Sequence, residues 1–283
     1  MIIDGKKFAQ KLRNKIKKEI QSIKKKTKLI PGLTVVLVGN HAPSEIYVRN
    51  KEISAKEVGI NSKVLRFKSS ISEIKLISVI HKLNKDKKVH GILVQLPLPN
   101  KINSQKIIQE INPKKDVDGF HPINVGNLSS GKDALVPCTP LGCYLMIKSV
   151  RKNLAGLNVL IIGRSNLNGK PMAQLLLKED CTVTIGHSKT KNLKELCKKA
   201  DIVVAAVGRA NLVKGDWVKK GAIVIDVGIN RVEKKKGYKI VGDVEFETVV
   251  KKARAITPVP GGVGPVTIAC LLNNTLKAFK NIN

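Results

Sequence analysis

The sequence predicts an α/β fold organised as two α/β domains. Three observations lead there. At 283 residues the chain is longer than one ordinary core requires. Short apolar, β-branched runs alternate with helix-length amphipathic stretches along the chain. The stretch NVLIIGRSNLNGKPM, residues 158–172, reads as a buried strand, a tight glycine turn and a helix start.

The elements follow in order. Residues 6–26 have helical spacing, with Ile16, Ile20 and Ile23 recurring in a lysine-rich background. A strand is predicted over 33–38, a helix over 44–58 and a strand over 63–67. The next helix opens on a Ser70-x-x-Glu73 capping box. A strand over 91–94 precedes a helix over 104–111 that stops before Pro113. Residues 116–127 read as a loop, with glycines at 119 and 126. Pro137 and Pro140 punctuate the boundary, and a helix over 141–152 leads into the second half. There, strands are predicted at Val159, Thr182, Ile202 and Ala222, with a short one near Ala255. The last helix, over 266–279, is long enough to return to the first half. The expected domains are therefore 1–139 plus 266–283, and 140–265.

The 158–172 stretch fits the first βα unit of a Rossmann-like dinucleotide-binding domain, in which a strand end and a helix N-terminus hold a pyrophosphate. Its glycine pattern is loose: Gly163 is followed by Arg164, Ser165 and only later Gly169. Ser165 stands where a second glycine would let backbone close on phosphate, so its hydroxyl is expected to donate instead. A plain strand-to-helix turn fits the same residues. The following strand selects the cofactor. An NAD site wants a carboxylate about 20 residues on, for the ribose hydroxyls. Here Gly186, His187, Ser188 and Lys189 follow the strand. Arg164, Ser188 and Lys189 suit a ribose 2′-phosphate, which points to NADP.

Composition narrows the class. Five cysteines without CxxC pairing argue for reduced thiols, and five histidines without HExxH argue against a metal. The start, MIIDGKKFAQ, lacks an apolar signal core, and no apolar run approaches a membrane span. A cytoplasmic chain without a membrane partner is expected. The net charge of +31 raises nucleic acid as a partner. The lysines are spread along the chain, however, and aromatics make up only 3%, so stacking platforms are scarce. The densest basic segment, 15–28, carries the isoleucine stripe of an amphipathic helix. Compositional bias accounts for the charge more simply than a nucleic-acid partner.

Several residues could carry chemistry. Tyr47 and Lys51 are four apart on a predicted helix and share a face, although spacing alone favours an ordinary surface pair. Gln95 ends a strand, where α/β folds gather ligand groups, and an ordinary strand-end glutamine fits equally. In DVDGF, Asp116 or Asp118 could simply make an Asx turn ahead of Gly119. The loop TPVPGGVGPVT, 257–267, is either a rigid connector or a place of close backbone approach to a ligand.

Taken together, the blocks YVRNK, KEVGI, GILVQLPLP, KDVDGFHPINVG, PCTPLG, GRSNLNGKPM, DVGINR, VGDV and TPVPGGVGPVT occur in one order. Over 47–275 the chain closely resembles the bifunctional methylenetetrahydrofolate dehydrogenase/methenyltetrahydrofolate cyclohydrolase family. Two positions depart: Asn168 replaces a usual apolar residue, and Gly186 stands before His-Ser-Lys-Thr where cysteine is common. The resemblance implies oxidation of 5,10-methylene-tetrahydrofolate with NADP, then hydrolysis to 10-formyl-tetrahydrofolate, in one-carbon metabolism and purine biosynthesis. It implies two domains around a cleft, the first binding tetrahydrofolate derivatives and the second NADP, and a homodimer. By resemblance Lys51 is the acid/base residue, Tyr47 packs on the folate rings, Gln95 positions Lys51, and Asp118 hydrogen-bonds the pterin. Gly163, Arg164, Ser165, Ser188 and Ile229 are implied to line the NADP site. A shikimate-type dehydrogenase would share the coenzyme domain but gives no reason for QLPLP or the late PGGVGP loop.

Overall fold

The computed structural model describes residues 1–233 and 237–282. It divides into two compact units, Gln10–Cys138 with Ile268–Asn283, and Met1–Ala9 with Thr139–Thr267.

The first of these carries a three-stranded parallel sheet. After helix α1 (Gly5–Thr27) come β1 (Gly32–Val38), α2 (Ala42–Val58), β2 (Asn61–Phe67), α3 (Glu73–Lys85) and β3 (Gly91–Val94). The strand order is β2-β1-β3, and every pairing is parallel. All residues of β1 are buried, because both faces of the central strand are covered, and its run GLTVVLV is correspondingly apolar. A bridge from Ile92 to Asp116 continues the parallel arrangement beyond β3. Helices α3 and α4 (Ser104–Gln109) supply Leu76, Ile80 and Ile107 to a core shared with Val36, Ile92 and Val94. Each such fully buried side chain contributes about 1.5–3 kcal/mol. In α1, Ile16 and Ile20 are buried while the surrounding lysines are exposed, which confirms the amphipathic pattern.

Two local expectations change. The cap of α3 is Ser72, not Ser70: its side chain accepts from Lys75 N. Ile71 and Leu76, flanking that cap, share one core cluster and fix the entry of the chain. The Glu73 carboxylate instead accepts from Asn103 N and Lys106. The stretch read as a loop contains helix α5 (Pro122–Ser129), with His121 as its cap and Pro122 in its first turn. Eight residues containing Gly126 are too short to show a periodicity.

The other unit carries a five-stranded parallel sheet in the order β10-β7-β6-β4-β5. Helix α6 (Cys138–Val150) precedes β4 (Asn158–Ile162), α7 (Gly169–Leu177), β5 (Thr182–Gly186), α8 (Leu193–Lys199) and β6 (Ile202–Ala205). A 3-10 turn at Gly215–Trp217 leads to β7 (Ile223–Asp226). An antiparallel hairpin not expected from sequence follows, β8 (Asn230–Glu233) with β9 (Tyr238–Val241). Then come α9 (Phe246–Val249), β10 (Ala255–Ile256) and α10 (Val263–Ile282). Because β4 pairs with β5 on one side and β6 on the other, β4 is the topological switch point. In the first unit β1 holds that position.

The first nine residues belong with this five-stranded unit rather than with the first expected domain. Ile2 bridges Ile256 in parallel, Ile3 N donates to Ile256 O, and Ile256 N donates to Met1 O, so the β-forming start extends the sheet edge. The unit boundary also falls inside α10, between Thr267 and Ile268.

Candidate active site

Helix α2 buries Ser44, Val48, Lys51, Ala55 and Val58. These recur every three to four residues, so Lys51 occupies a core-facing position of the stripe. It is only 8% exposed, which overturns the plain surface-pair reading of the spacing. Tyr47, one turn earlier, is 38% exposed. Burial pushes its phenol pKa up, so the hydroxyl stays protonated near neutral pH.

A buried amino group needs a hydrogen-bond partner. Lys51 Nζ donates to Gln95 Oε1 at 2.9 Å. Gln95 follows β3, and its backbone N–H donates to Val36 O, holding the residue to the central strand. Its own Nε2 donates to Leu96 O at 2.7 Å, which fixes the amide so that Oε1 faces the lysine. A lysine has three donors, so the amine is oriented by Gln95 and keeps capacity for a ligand.

The two aspartates of DVDGF divide the work. Asp116 is buried and accepts from Gly119 N, His121 N and Asn124 Nδ2. It therefore makes the turn. Asp118 makes no such turn and is half-buried. Burial raises the Asp118 pKa to about 6, against the pull of the Lys51 charge; Asp116 adds to the rise and a bond from Cys138 opposes it. Gly119 has φ +75°, and a side chain there would strike Leu135 O at 2.5 Å. The region thus assembles an amine, an amide and a carboxyl of perturbed acidity, the usual material of a proton-transfer site.

The glycine turn of the five-stranded unit is a backbone cradle. Gly163 has φ +126°, and a Cβ there would lie 2.4 Å from Ala206 O. A Cβ on Gly169 would lie 2.0 Å from Gly163 O, so both positions exclude side chains. Ser165 Oγ accepts from Asn168 N at 3.1 Å, which leaves its O–H free to donate. Arg164, Ser165, Ser188 and Lys189 are exposed on the loops after β4 and β5. Those strands are paired neighbours, with Ile162 opposite Gly186, so the two loops leave the same carboxyl edge. Ile229, 55% exposed, follows β7 at that edge. Donors at a helix start plus cations on the adjacent loop fit a phosphorylated dinucleotide. At Gly186 an added Cβ would meet the end of the Leu193 side chain, Cδ1, at 2.6 Å, a contact that a rotation of that side chain relieves.

Sequence reasoning missed two supporting carboxylates, Asp226 and Asp243. Fully buried Asp243 accepts from the backbone N–H groups of Val207, Gly208 and Arg209, and from Asn230 Nδ2. Asp226 accepts from Gly228 N, Asp243 N and Val244 N, and burial raises its pKa to about 6. Together they fasten the loops after β6 and β7. The only sequence signal was their placement in DVG and GDV, where a Cβ on Gly228 or Gly242 would collide with a carboxylate.

Comparison with known proteins agrees with this geometry. Residues 3–118 match the model of the tetrahydrofolate dehydrogenase/cyclohydrolase catalytic domain, and residues 137–283 that of its NAD(P)-binding domain. The bifunctional protein FolD of Pelagibacter ubique is 63% identical over 280 residues, covering 99% of this chain and 98% of its own. The crystal structure of the bifunctional methylenetetrahydrofolate dehydrogenase/cyclohydrolase FolD from Campylobacter jejuni is 47% identical. It superposes with a TM-score of 0.96 over 99% of each chain. The Trypanosoma brucei enzyme, solved with NADP cofactor and an inhibitor, is 37% identical with a TM-score of 0.95, over 99% of this chain and 97% of that one. With both halves matched to family models and near-complete coverage by such relatives, the chain belongs to the tetrahydrofolate dehydrogenase/cyclohydrolase family.

Proposed function

We infer that this chain oxidises 5,10-methylene-tetrahydrofolate to the 5,10-methenyl form with NADP and then hydrolyses it to 10-formyl-tetrahydrofolate. The chain is an NADP-dependent oxidoreductase and a hydrolase acting on tetrahydrofolate derivatives. One observation carries the assignment of roles: Lys51 Nζ is held at 2.9 Å from Gln95 Oε1 on a buried helix stripe.

NADP, when bound, supplies the ring that accepts hydride from the methylene carbon. The chain's part in that step is alignment. Tyr47 offers a partly exposed ring on which the folate stacks, and Asp118 accepts hydrogen bonds from the pterin edge. Hydration needs Lys51 as the neutral amine: its Nζ lone pair takes a proton from water as the water oxygen adds to the methenyl carbon. Lys51 then returns a proton to the ring nitrogen as the carbon–nitrogen bond breaks, giving the formyl product. Gln95 keeps the amine aimed through both transfers. Gly163 and Ser165 receive the pyrophosphate, Arg164 and Ser188 grip the 2′-phosphate, and Ile229 lines the nucleotide site. The folate role falls to the three-stranded unit and the NADP role to the five-stranded one.

The chain is further assigned to the cytoplasm as a homodimer. The buried thiols of Cys138, Cys181, Cys197 and Cys270, none in a disulfide, support a reducing compartment, and the family resemblance supports the dimer. Among the described residues no helix is long and apolar enough to cross a membrane. The deciding assay mixes the protein with 5,10-methylene-tetrahydrofolate and NADP. Absorbance should show NADPH rising with a transient methenyl species; NADPH formation without methenyl decay would remove the hydrolase step.

A further inference from the structure

Asn274 sits on α10, outside the motif blocks named above and 138 residues from Val136, yet it is only 2% exposed. Its Nδ2 donates to Val117 O at 2.9 Å and to Val136 O at 2.8 Å, and lies 3.6 Å from Cys138 Sγ. The Cys138 thiol donates to the same Val117 O at 3.2 Å. One amide thus ties together the residue before Asp118 and the strand of chain that ends at Cys138. On the other side of Asp118, Gly119 lies so close to Leu135–Pro137 backbone that any Cβ would clash. All these groups lie within the three-stranded unit.

We propose that Asn274 and Cys138 are positioning residues for Asp118: they clamp the two backbone segments beside it and present its carboxylate to the folate at one angle. The inference rests on the assignment of Asp118 to the pterin. The charged and titratable groups around Asp118 are Lys51 from α2, Asp116 from its own segment and Cys138 from α6, with Cys270 from α10 facing Cys138. The sign of the pH effect follows from these. Asp118 is ionised, and so an acceptor, above about pH 6; that acceptor is lost as pH falls through about 6. Cys138 has one S–H, shared between Val117 O and the Asp118 carboxylate; toward the latter it favours the ionised form, so removing the thiol should move the loss to higher pH.

The test measures KM for the folate, KM for NADP and kcat from about pH 5 to about pH 8. In Asp118→Asn the acidic limb of the folate KM should vanish. If it persists, the assignment of Asp118 to the pterin fails. Given that it vanishes, Cys138→Ala should shift the limb to higher pH, to an about three- to tenfold lower proton concentration, the worth of one hydrogen bond. Cys138→Ser should move it back toward wild type. Asn274→Ala should raise folate KM about tenfold, with NADP KM unchanged. A Cys138→Ala profile superimposed on wild type, or an Asn274→Ala loss confined to kcat, overturns the positioning role. Should Asn274→Ala fold poorly, the Cys138 pair decides alone.

Discussion

In the three-stranded unit the candidate proton-transfer pair, Lys51 and Gln95, is already joined and sheltered; in the five-stranded unit the candidate groups are backbone and exposed side chains. Lys51 is buried and held by Gln95, whose amide is itself fixed by Leu96 O. Arg164, Ser165 and Ser188 stand exposed around a turn whose shape is set by Gly163 and Gly169. Both units place these groups beyond the carboxyl ends of a parallel sheet, at the switch strands β1 and β4. The difference fits the tasks proposed for the two sites. Proton transfer needs one amine at one angle, which packing can enforce. A dinucleotide phosphate needs several donors around a large anion, which a helix start supplies and which must stay accessible until the ligand arrives.

The largest effect should come from breaking the sheltered pair. Lys51→Met keeps much of the buried volume and removes the amine. Cyclohydrolase activity should fall at least about a hundredfold, the lower range for general acid–base catalysis. Dehydrogenase activity should fall less, and KM for NADP should stay as in the wild type, since Lys51 belongs to the other unit. Separate rate measurements on methylene- and methenyl-tetrahydrofolate check this. Full cyclohydrolase activity in the variant would remove Lys51 from its role.

Next comes the exposed side. Arg164→Ala removes a guanidinium assigned to the 2′-phosphate, a charge-assisted contact of roughly 1.5–3 kcal/mol. The NADP constant should weaken tens-fold, while the NAD constant barely moves. Hydrolysis of methenyl-tetrahydrofolate supplied directly should be untouched, because that step uses no cofactor. An equal fall for NADP and NAD would transfer Arg164 to the pyrophosphate or to folding.

The same contrast governs what could be read from sequence. The strand–turn–helix at 158–172 was legible because glycines at 163 and 169 answer to backbone geometry, which is local. The shared face of Tyr47 and Lys51 was legible too, but not the burial of Lys51: spacing gives the face, and only the packed sheet says which face points inward. The contact from Lys51 to Gln95 spans 44 residues and depends on strand order, which no local pattern carries. Asp116 and Asp118 are equivalent as Asx candidates until the Ile92–Asp116 bridge orients one of them toward His121 and Asn124. Ser70 lost the α3 cap to Ser72 because burial of Ile71 set the entry. The β8–β9 hairpin hid because β8, NRVE, is mostly polar and exposed, and β9, YKIV, is too short to show an alternation.

The smallest effect concerns the charge of +31, which the comparison of two sites leaves unassigned. If the excess of cations acts on ligands at all, it acts through the field, by steering anions toward the surface. Folates with several glutamates carry a longer anionic tail than those with one, so they should feel that field more. The field is screened over about 10 Å at 0.1 M salt. KM for a polyglutamylated folate should therefore rise steeply with ionic strength, and KM for the monoglutamate much less. Pairs such as Lys106–Glu73 and Lys214–Glu245 cancel locally and are already subtracted in that net charge, so the field is set by the excess cations spread along the chain. Steady-state measurements of both folates across a salt series decide the matter. Parallel curves would make the charge a matter of composition alone, whereas diverging curves would make the surface around the folate a third contributor beside the sheltered amine and the glycine cradle.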